Sequence, residues 1–179
     1  MDPAAIWTIG HSTRSLAEFS DLLLGERIGL LADVRRYPGS RMHPHFNAEA
    51  LCRSLIAEGI RYEAYPELGG RRSPRADSAN TRWRNASFRG YADYMETPAF
   101  DVALERLTDA AASARTAIMC AEAPWWRCHR ALIADALKAR GVEVLHIMGP
   151  GKLVEHPYTS AASVVDGKLY YGPSPGLFG

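Results

Sequence analysis

The stretch Thr116-Ala-Ile-Met-Cys-Ala-Glu-Ala-Pro-Trp-Trp-Arg-Cys-His-Arg-Ala-Leu-Ile-Ala-Asp-Ala-Leu137 decides how the chain is read. It opens as a short apolar run, breaks at Cys120 and Glu122 into a loop, and resumes with helical periodicity from about Cys128 to Arg140. That pattern predicts a strand, a loop and a helix. The carboxyl end of a buried strand and the amino end of a helix meet in such a loop, where free backbone N–H groups and the helix dipole favour negative charge. Arg127 and Arg130 add guanidinium groups, and Cys120 and Cys128 add thiols. The loop is therefore a candidate anion site containing soft nucleophiles.

Strand, loop and helix signals recur on either side of it. Ile6-Trp-Thr-Ile9 is a β-prone run ending at Gly10-His-Ser-Thr-Arg14, and Ser15 with Glu18 forms a capping box ahead of an apolar stripe at Leu16, Phe19, Leu22 and Leu23. Leu30-Leu-Ala-Asp-Val34 predicts a second strand, so the first three elements form a parallel crossover pair. A loop from Ser40 to Phe46, a helix capped by Asn47 and closed by Gly59, and a strand over Ile60 to Tyr65 repeat the pattern. After an aperiodic loop from Glu67 to Ser87 come a short helix over Phe88 to Met95 and a helix from Thr97-Pro98 to Ser113. Val142 to Ile147 predicts the last parallel strand, Asp166-Gly167 marks a hairpin, and Gly172 to Gly179 reads as irregular. The expected fold is α/β: a single three-layer domain with a mostly parallel five-stranded sheet, helices on both faces and a carboxyl-terminal β-hairpin. Residues 1–150 form the α/β domain, and 151–179 a hairpin extension packed on it.

Composition bounds the function. The 179 residues, 47% hydrophobic and 23% charged with net charge +1, suit one soluble domain and supply no whole-molecule field for nucleic acid. No run reaches the roughly 18 apolar residues of a membrane span, and the amino terminus lacks a basic segment followed by an apolar core, so the chain reads as cytoplasmic with no membrane partner. Three cysteines are too few, and odd in number, for a secreted disulfide framework.

Ligands of parallel sheets collect beyond the carboxyl ends of the strands. His11 and Ser12, Asp33 and Arg35, Glu67, and Cys120 and Glu122 all follow predicted strands and are expected on one edge. Cys120, beside arginines and a helix amino terminus, is the candidate nucleophile; its bland alternative is a buried strand-end residue. Glu122 and His11 are candidate acid–base groups, although Glu122 as a nearby anion opposes thiolate formation. Asp33 either takes part in catalysis or forms a structural ion pair with Arg35 or Arg130. Cys128 could resolve an oxidised Cys120. Together with His129, and with His11 or Glu122, the two cysteines could instead hold a metal; the Cys120 to Cys128 interval fits no common zinc spacing, and no cofactor is expected.

Arg71, Arg72, Arg75, Arg82, Arg84 and Arg89, interleaved with Trp83 and Phe88, suit phosphates and stacked bases, or else form a solvated loop. Tyr91 and Tyr94 could project into the same region. The reading that follows is an enzyme, thiol- or carboxylate-dependent, acting on an anionic small molecule or nucleic acid. Its alternatives are a non-catalytic nucleic-acid module and a thiol or metal sensor built on Cys120 and Cys128.

Six blocks carry a family resemblance: Thr8-Ile-Gly-His-Ser-Thr13, Asp33-Val-Arg35, Pro66-Glu-Leu-Gly-Gly-Arg71, Phe88-Arg-Gly-Tyr-Ala-Asp-Tyr94, Met119-Cys-Ala-Glu122 and Arg127-Cys-His-Arg130. In this order, over about residues 6 to 147, they resemble the family of domain of unknown function 488, whose activity is unassigned. A looser likeness links the Asp-Val-Arg strand end and the later cysteine loop to rhodanese and cysteine-phosphatase domains. The departure is plain: the first arginine comes seven residues after Cys120, and Glu122, Pro124 and two tryptophans stand where those loops carry glycines.

Overall fold

A computed structural model describes residues 5–39 and 42–173. The amino-terminal four residues, Ser40 and Arg41 of the expected loop, and 174–179 of the expected irregular tail lie outside the described residues. The chain forms β1 (Ile6–Gly10), α1 (Leu16–Gly25), β2 (Leu30–Asp33), α2 (Ala48–Ala57), β3 (Arg61–Ala64), α3 (Ala86–Tyr94) and α4 (Pro98–Ser113). Then follow β4 (Thr116–Cys120), α5 (Arg130–Ala139), β5 (Val144–Gly149), β6 (Lys152–Glu155), β7 (Ser163–Val165) and β8 (Lys168–Tyr170).

The main sheet has the order β3-β2-β4-β1-β5-β6, and its first five strands are parallel. From β1 to β3 the chain steps outward in one direction; from β3 through β4 to β5 it steps back. Because parallel crossovers are right-handed, that reversal puts the two sets of helices on opposite faces. One core joins Phe19, Leu22 and Leu23 of α1 and Leu51 and Leu55 of α2 to Trp7, Ile9, Ala117 and Met119. The other joins Tyr91, Leu104, Leu107, Leu132 and Leu137 of α3 to α5 to Ile6, Ile118 and Cys120. Successive strand residues point to opposite faces, so the period-two alternation in β4 directs Cys120 toward α5. Each fully buried leucine here contributes roughly 1.5–3 kcal/mol relative to exposure.

Ser15 and Thr97 start their helices with the expected chemistry, Asn47 stands at the start of α2 with no side-chain cap bond, and Asn85 is a cap the sequence reading did not name. Ser15 accepts from the Glu18 amide at 3.1 Å while the Glu18 carboxylate accepts from the Ser15 amide at 3.3 Å. Asn85 and Thr97 cap the next long pair through the amides of Phe88 and Phe100. Asp166 and Gly167 both take positive φ, 51° and 77°, and turn β7 into β8.

The sheet is larger than expected by one strand. Lys152–Glu155 pairs antiparallel with β5 as a sixth, edge strand. Its four residues are all exposed, so it lacks the buried alternation by which strands are recognised. The central helix also starts two residues later than its periodicity suggests, because Trp125–Arg127 forms a 3₁₀ turn that delays it to Arg130.

Candidate functional site

β1 and β4 are neighbours at the centre of the sheet, and their pairing runs on past the last strand residues. The amide of His11 donates to the Cys120 carbonyl at 3.0 Å and that of Ser12 to the Ala121 carbonyl at 2.8 Å. The loops after these strands, with those after β2 and β3 and the start of α3, enclose a cavity of about 560 Å³ at the carboxyl edge. His11, Ser12, Arg35, Arg71, Tyr91, Cys120, Glu122, Arg127, Cys128 and His129 are brought together there.

Cys120 lies at the cavity floor, 1% exposed. Beneath it Arg130, also 1% exposed, donates from Nη2 to the carbonyls of Glu122 at 3.2 Å and Ala123 at 2.8 Å. Its Nε and Nη1 are buried without an acceptor, and none of the ion pairs among the described residues involves it. A guanidinium sealed away without a counter-ion is costly, and a thiolate at Cys120 is the nearby anion that offsets it. Burial pushes the Cys120 thiol up. The hydrogen bond with Cys128, the Arg130 charge and the Glu122 backbone outweigh that, and the Glu122 carboxylate opposes them only weakly, so the thiol is lowered to about 7; while protonated it donates to the Glu122 carbonyl at 3.5 Å.

Cys128 moves the other way. Burial, and its role as hydrogen-bond partner of Cys120, raise it well above the ordinary thiol range, so it stays protonated, with one S–H to share between Cys120 and His129. Its sulfur also lies 3.3 Å from Nδ1 of His129, whose Nε2–H is directed at the Val34 carbonyl at 2.9 Å. Burial lowers His129 to about 4, which keeps it neutral and its Nδ1 an acceptor near neutrality.

His11 is 4% exposed and stacks on Phe46 at 4.5 Å between ring centroids. Its Nδ1–H is directed at the Ser12 carbonyl at 2.9 Å, leaving Nε2 as the lone-pair nitrogen, with no hydrogen-bond partner among the described residues. Burial lowers its pKa, so it is a base rather than an acid near neutrality. Ser12 and Arg71, both lining the cavity, take positive φ of 47° and 60° without being glycine. Such strain costs on the order of 1–3 kcal/mol and concentrates at functional sites.

Four expected residues sit outside the cavity lining. Asp33 lies beneath Arg35: its Oδ1 accepts from the Arg35 amide at 3.0 Å and Nε at 2.9 Å, and its Oδ2 from Nη2 at 2.8 Å and the Tyr62 hydroxyl at 2.5 Å. That carboxylate is saturated and holds Arg35 rigid at the cavity wall. Glu67 faces away, 4.0 Å from Arg106. Arg89 donates to the Trp83 carbonyl at 3.4 Å, and Arg130 forms the support just described. Of the aromatic candidates, Trp83 packs against Phe88 and Tyr171, while the Tyr91 and Tyr94 hydroxyls donate to the Leu68 and Glu67 carbonyls. Arg72 lies 3.7 Å over the Tyr94 ring, so it is structural as well.

Sequence reasoning passed over Arg36, Tyr37, Met42, His43 and Ser87, all of which line the cavity, as does Phe88, the ring expected to stack on a base. The rule for strand ends could have found Arg36 and Tyr37, which directly follow Asp33-Val-Arg35. It also passed over the support of the Trp125 side of the loop. Trp125 stacks on His146 at 4.7 Å, with 3° between the ring planes. Behind it runs a buried relay: the Thr8 hydroxyl to His146 Nδ1 at 2.5 Å, His146 Nε2 to His156 Nδ1 at 2.8 Å, and His156 Nε2 to Asp135 at 2.8 Å. The Asp135 carboxylate at the end of that relay also accepts from the Thr159 amide and hydroxyl and from the Tyr171 hydroxyl.

The family model described as domain of unknown function DUF488 matches residues 15–137, well over half the chain. The chain belongs to the DUF488 family. The matched span contains every cavity-lining residue named above except His11 and Ser12, which lie a few residues before it. No curated protein and no solved structure matches this DUF488 chain. Among the described residues, no group of three or more His, Cys, Asp or Glu could hold a metal ion, and no helix is long and apolar enough to cross a membrane.

Proposed function

We propose that this DUF488 protein is a thiolate-dependent transferase or hydrolase acting on a phosphate-bearing or otherwise anionic substrate. The observation that carries the reading is the buried, incompletely partnered Arg130 beneath Cys120. In this reading Arg35, Arg71 and Arg127 draw the anion into the cavity, where Glu122 is the only acidic lining residue among those described. The Asp33 carboxylate occupies Nε and Nη2 of Arg35 and leaves Nη1 without a partner among the described residues.

The chemistry divides into two displacements. The Cys120 sulfur forms a bond to the electrophilic atom while the bond to the leaving group breaks, and the leaving group departs with its electron pair. A water or alcohol then attacks the sulfur-bound group, His11 Nε2 takes its proton, and the thiolate is restored.

Alkylation of Cys120 by iodoacetamide, followed by mass spectrometry between pH 5 and 9, tests the first requirement. The expected rate is half-maximal near pH 7, and inorganic phosphate slows it. A Cys120 that reacts only as the pH approaches the range of a free thiol removes the nucleophile.

A further inference from the structure

Building on that reading, we infer that the substrate is a nucleotide unit: its phosphate reaches the inner end of the cavity beside Cys120 and Arg35, and its base stacks on the aromatic rim formed by Tyr37 and Phe88. The cavity has two chemically distinct parts. Its inner end holds the Cys120 sulfur and the Arg35 guanidinium, 1% and 8% exposed. Its rim carries Tyr37, 61% exposed, with the guanidinium carbons of Arg36 and Arg71 at 5.5 and 5.7 Å from the ring centroid.

Arg36 also donates to the Arg71 carbonyl at 2.9 Å, which ties the two loops that flank the ring. Tyr37 is therefore held in place while its ring is left largely in solvent. A rigid, exposed aromatic beside a cationic cavity suits a flat π-system that carries negative charge. Phe88, half-buried in the first turn of α3, supplies a second aromatic surface to the same cavity.

Size points the same way. A cavity of about 560 Å³ lies within the range of small-ligand sites, and an inorganic anion would leave most of it empty. A phosphorylated aliphatic compound would satisfy the floor and leave the rim unused. Glu122, at the cavity wall, offers an acceptor for a sugar hydroxyl or an exocyclic amine.

The nucleotide could be free or part of a strand. Arg82 and Arg84 are exposed, outside every ion pair among the described residues, and close in sequence to Ser87 and Phe88 at the cavity, where a continuing backbone would meet them.

Calorimetric titration of the intact protein separates these cases, using a nucleoside 5′-monophosphate, ribose 5-phosphate, inorganic phosphate and a four-nucleotide single strand as probes. The nucleoside monophosphate is expected to bind roughly tenfold more tightly than ribose 5-phosphate, the increment of one stacked base. Tyr37→Ser should erase that difference and leave ribose 5-phosphate binding and the melting temperature unchanged. If the tetranucleotide binds more tightly still and Arg82→Ala with Arg84→Ala removes the gain, the nucleotide comes from a strand; equal binding by monomer and strand identifies a free nucleotide. Equal affinities for nucleoside monophosphate and ribose 5-phosphate, or no binding of either, overturn the inference. Binding is read by calorimetry and thiol reactivity by alkylation, both on the unaltered protein, so an unreactive thiol alongside tight nucleotide binding defeats the catalytic reading alone.

Discussion

A Cβ built on Gly10 would stand 1.8 Å from the carbonyl oxygen of Glu122 and 2.8 Å from the Cα of Ala123. The end of β1 thus passes directly against the loop that follows Cys120, and only a residue without a side chain permits that approach. Gly10→Ala must push this loop outward. It is expected to cost about 1–3 kcal/mol in urea unfolding and to slow Cys120 alkylation at pH 7, because Arg130 holds the same loop carbonyls.

Removing the cation beneath the sulfur should move its titration. In Arg130→Met the anion loses its buried partner and burial dominates, so half-maximal alkylation shifts upward by roughly one to two pH units. Arg130→Lys keeps a charge but not the planar fork and should shift it less. Alkylation profiles of the two variants check the order.

Cys128→Ala takes away the S–H that Cys120 shares with His129 Nδ1. The thiolate fraction at pH 7 should fall and the profile move up, while His129 keeps its bond to Val34. If the profile stays where it is, Cys128 has no part in stabilising the thiolate.

His129 makes stability acid-sensitive. Its folded-state pKa is lowered from 6.5 to about 4, so between these values the unfolded chain binds the extra proton and stability falls as the pH falls. Two and a half pH units at roughly 1.36 kcal/mol each set the loss at about 3 kcal/mol. Urea midpoints measured from pH 7 to pH 4 should show that decline, and His129→Asn should flatten it. For Cys120 the sign is that of a depressed acid. Its contribution is complete above the ordinary thiol value of 9.0 and is lost as the pH falls toward about 7, so stability should also rise between these values.

The relay behind Trp125 should be stiff and intolerant of gaps. His156→Ala leaves His146 and Asp135 each short of a buried hydrogen-bond partner, at a cost of about 2–4 kcal/mol. Tyr171→Phe removes one of the donors to Asp135 and should cost about 1 kcal/mol. Urea unfolding checks both, and a change in tryptophan fluorescence in His156→Ala would report the loss of order around Trp125.

Local signals carried most of the fold. The capping box at Ser15, the Thr97-Pro98 start, the Asp166-Gly167 turn and the period of each apolar run are settled by a few neighbouring residues, and the structure realises all of them. The edge strand Lys152–Glu155 escaped because, exposed throughout, it leaves no burial pattern to recognise.

For the site, the sequence alone placed His11, Asp33 and Cys120 at strand ends, since parallel strands all finish on one edge. It could not assign partners. That Asp33 would be saturated by Arg35 and Tyr62, that Glu67 would turn away toward Arg106, and that Arg130 would be buried with two unpaired groups beneath a sulfur depends on the order β3-β2-β4-β1-β5-β6. His146, one residue of an alternating strand, became the centre of a relay only when β5 settled beside β1 and brought Thr8 within 2.5 Å of it. Periodicity records which way a side chain points; which group it meets there is decided by the packing of elements far apart in the chain.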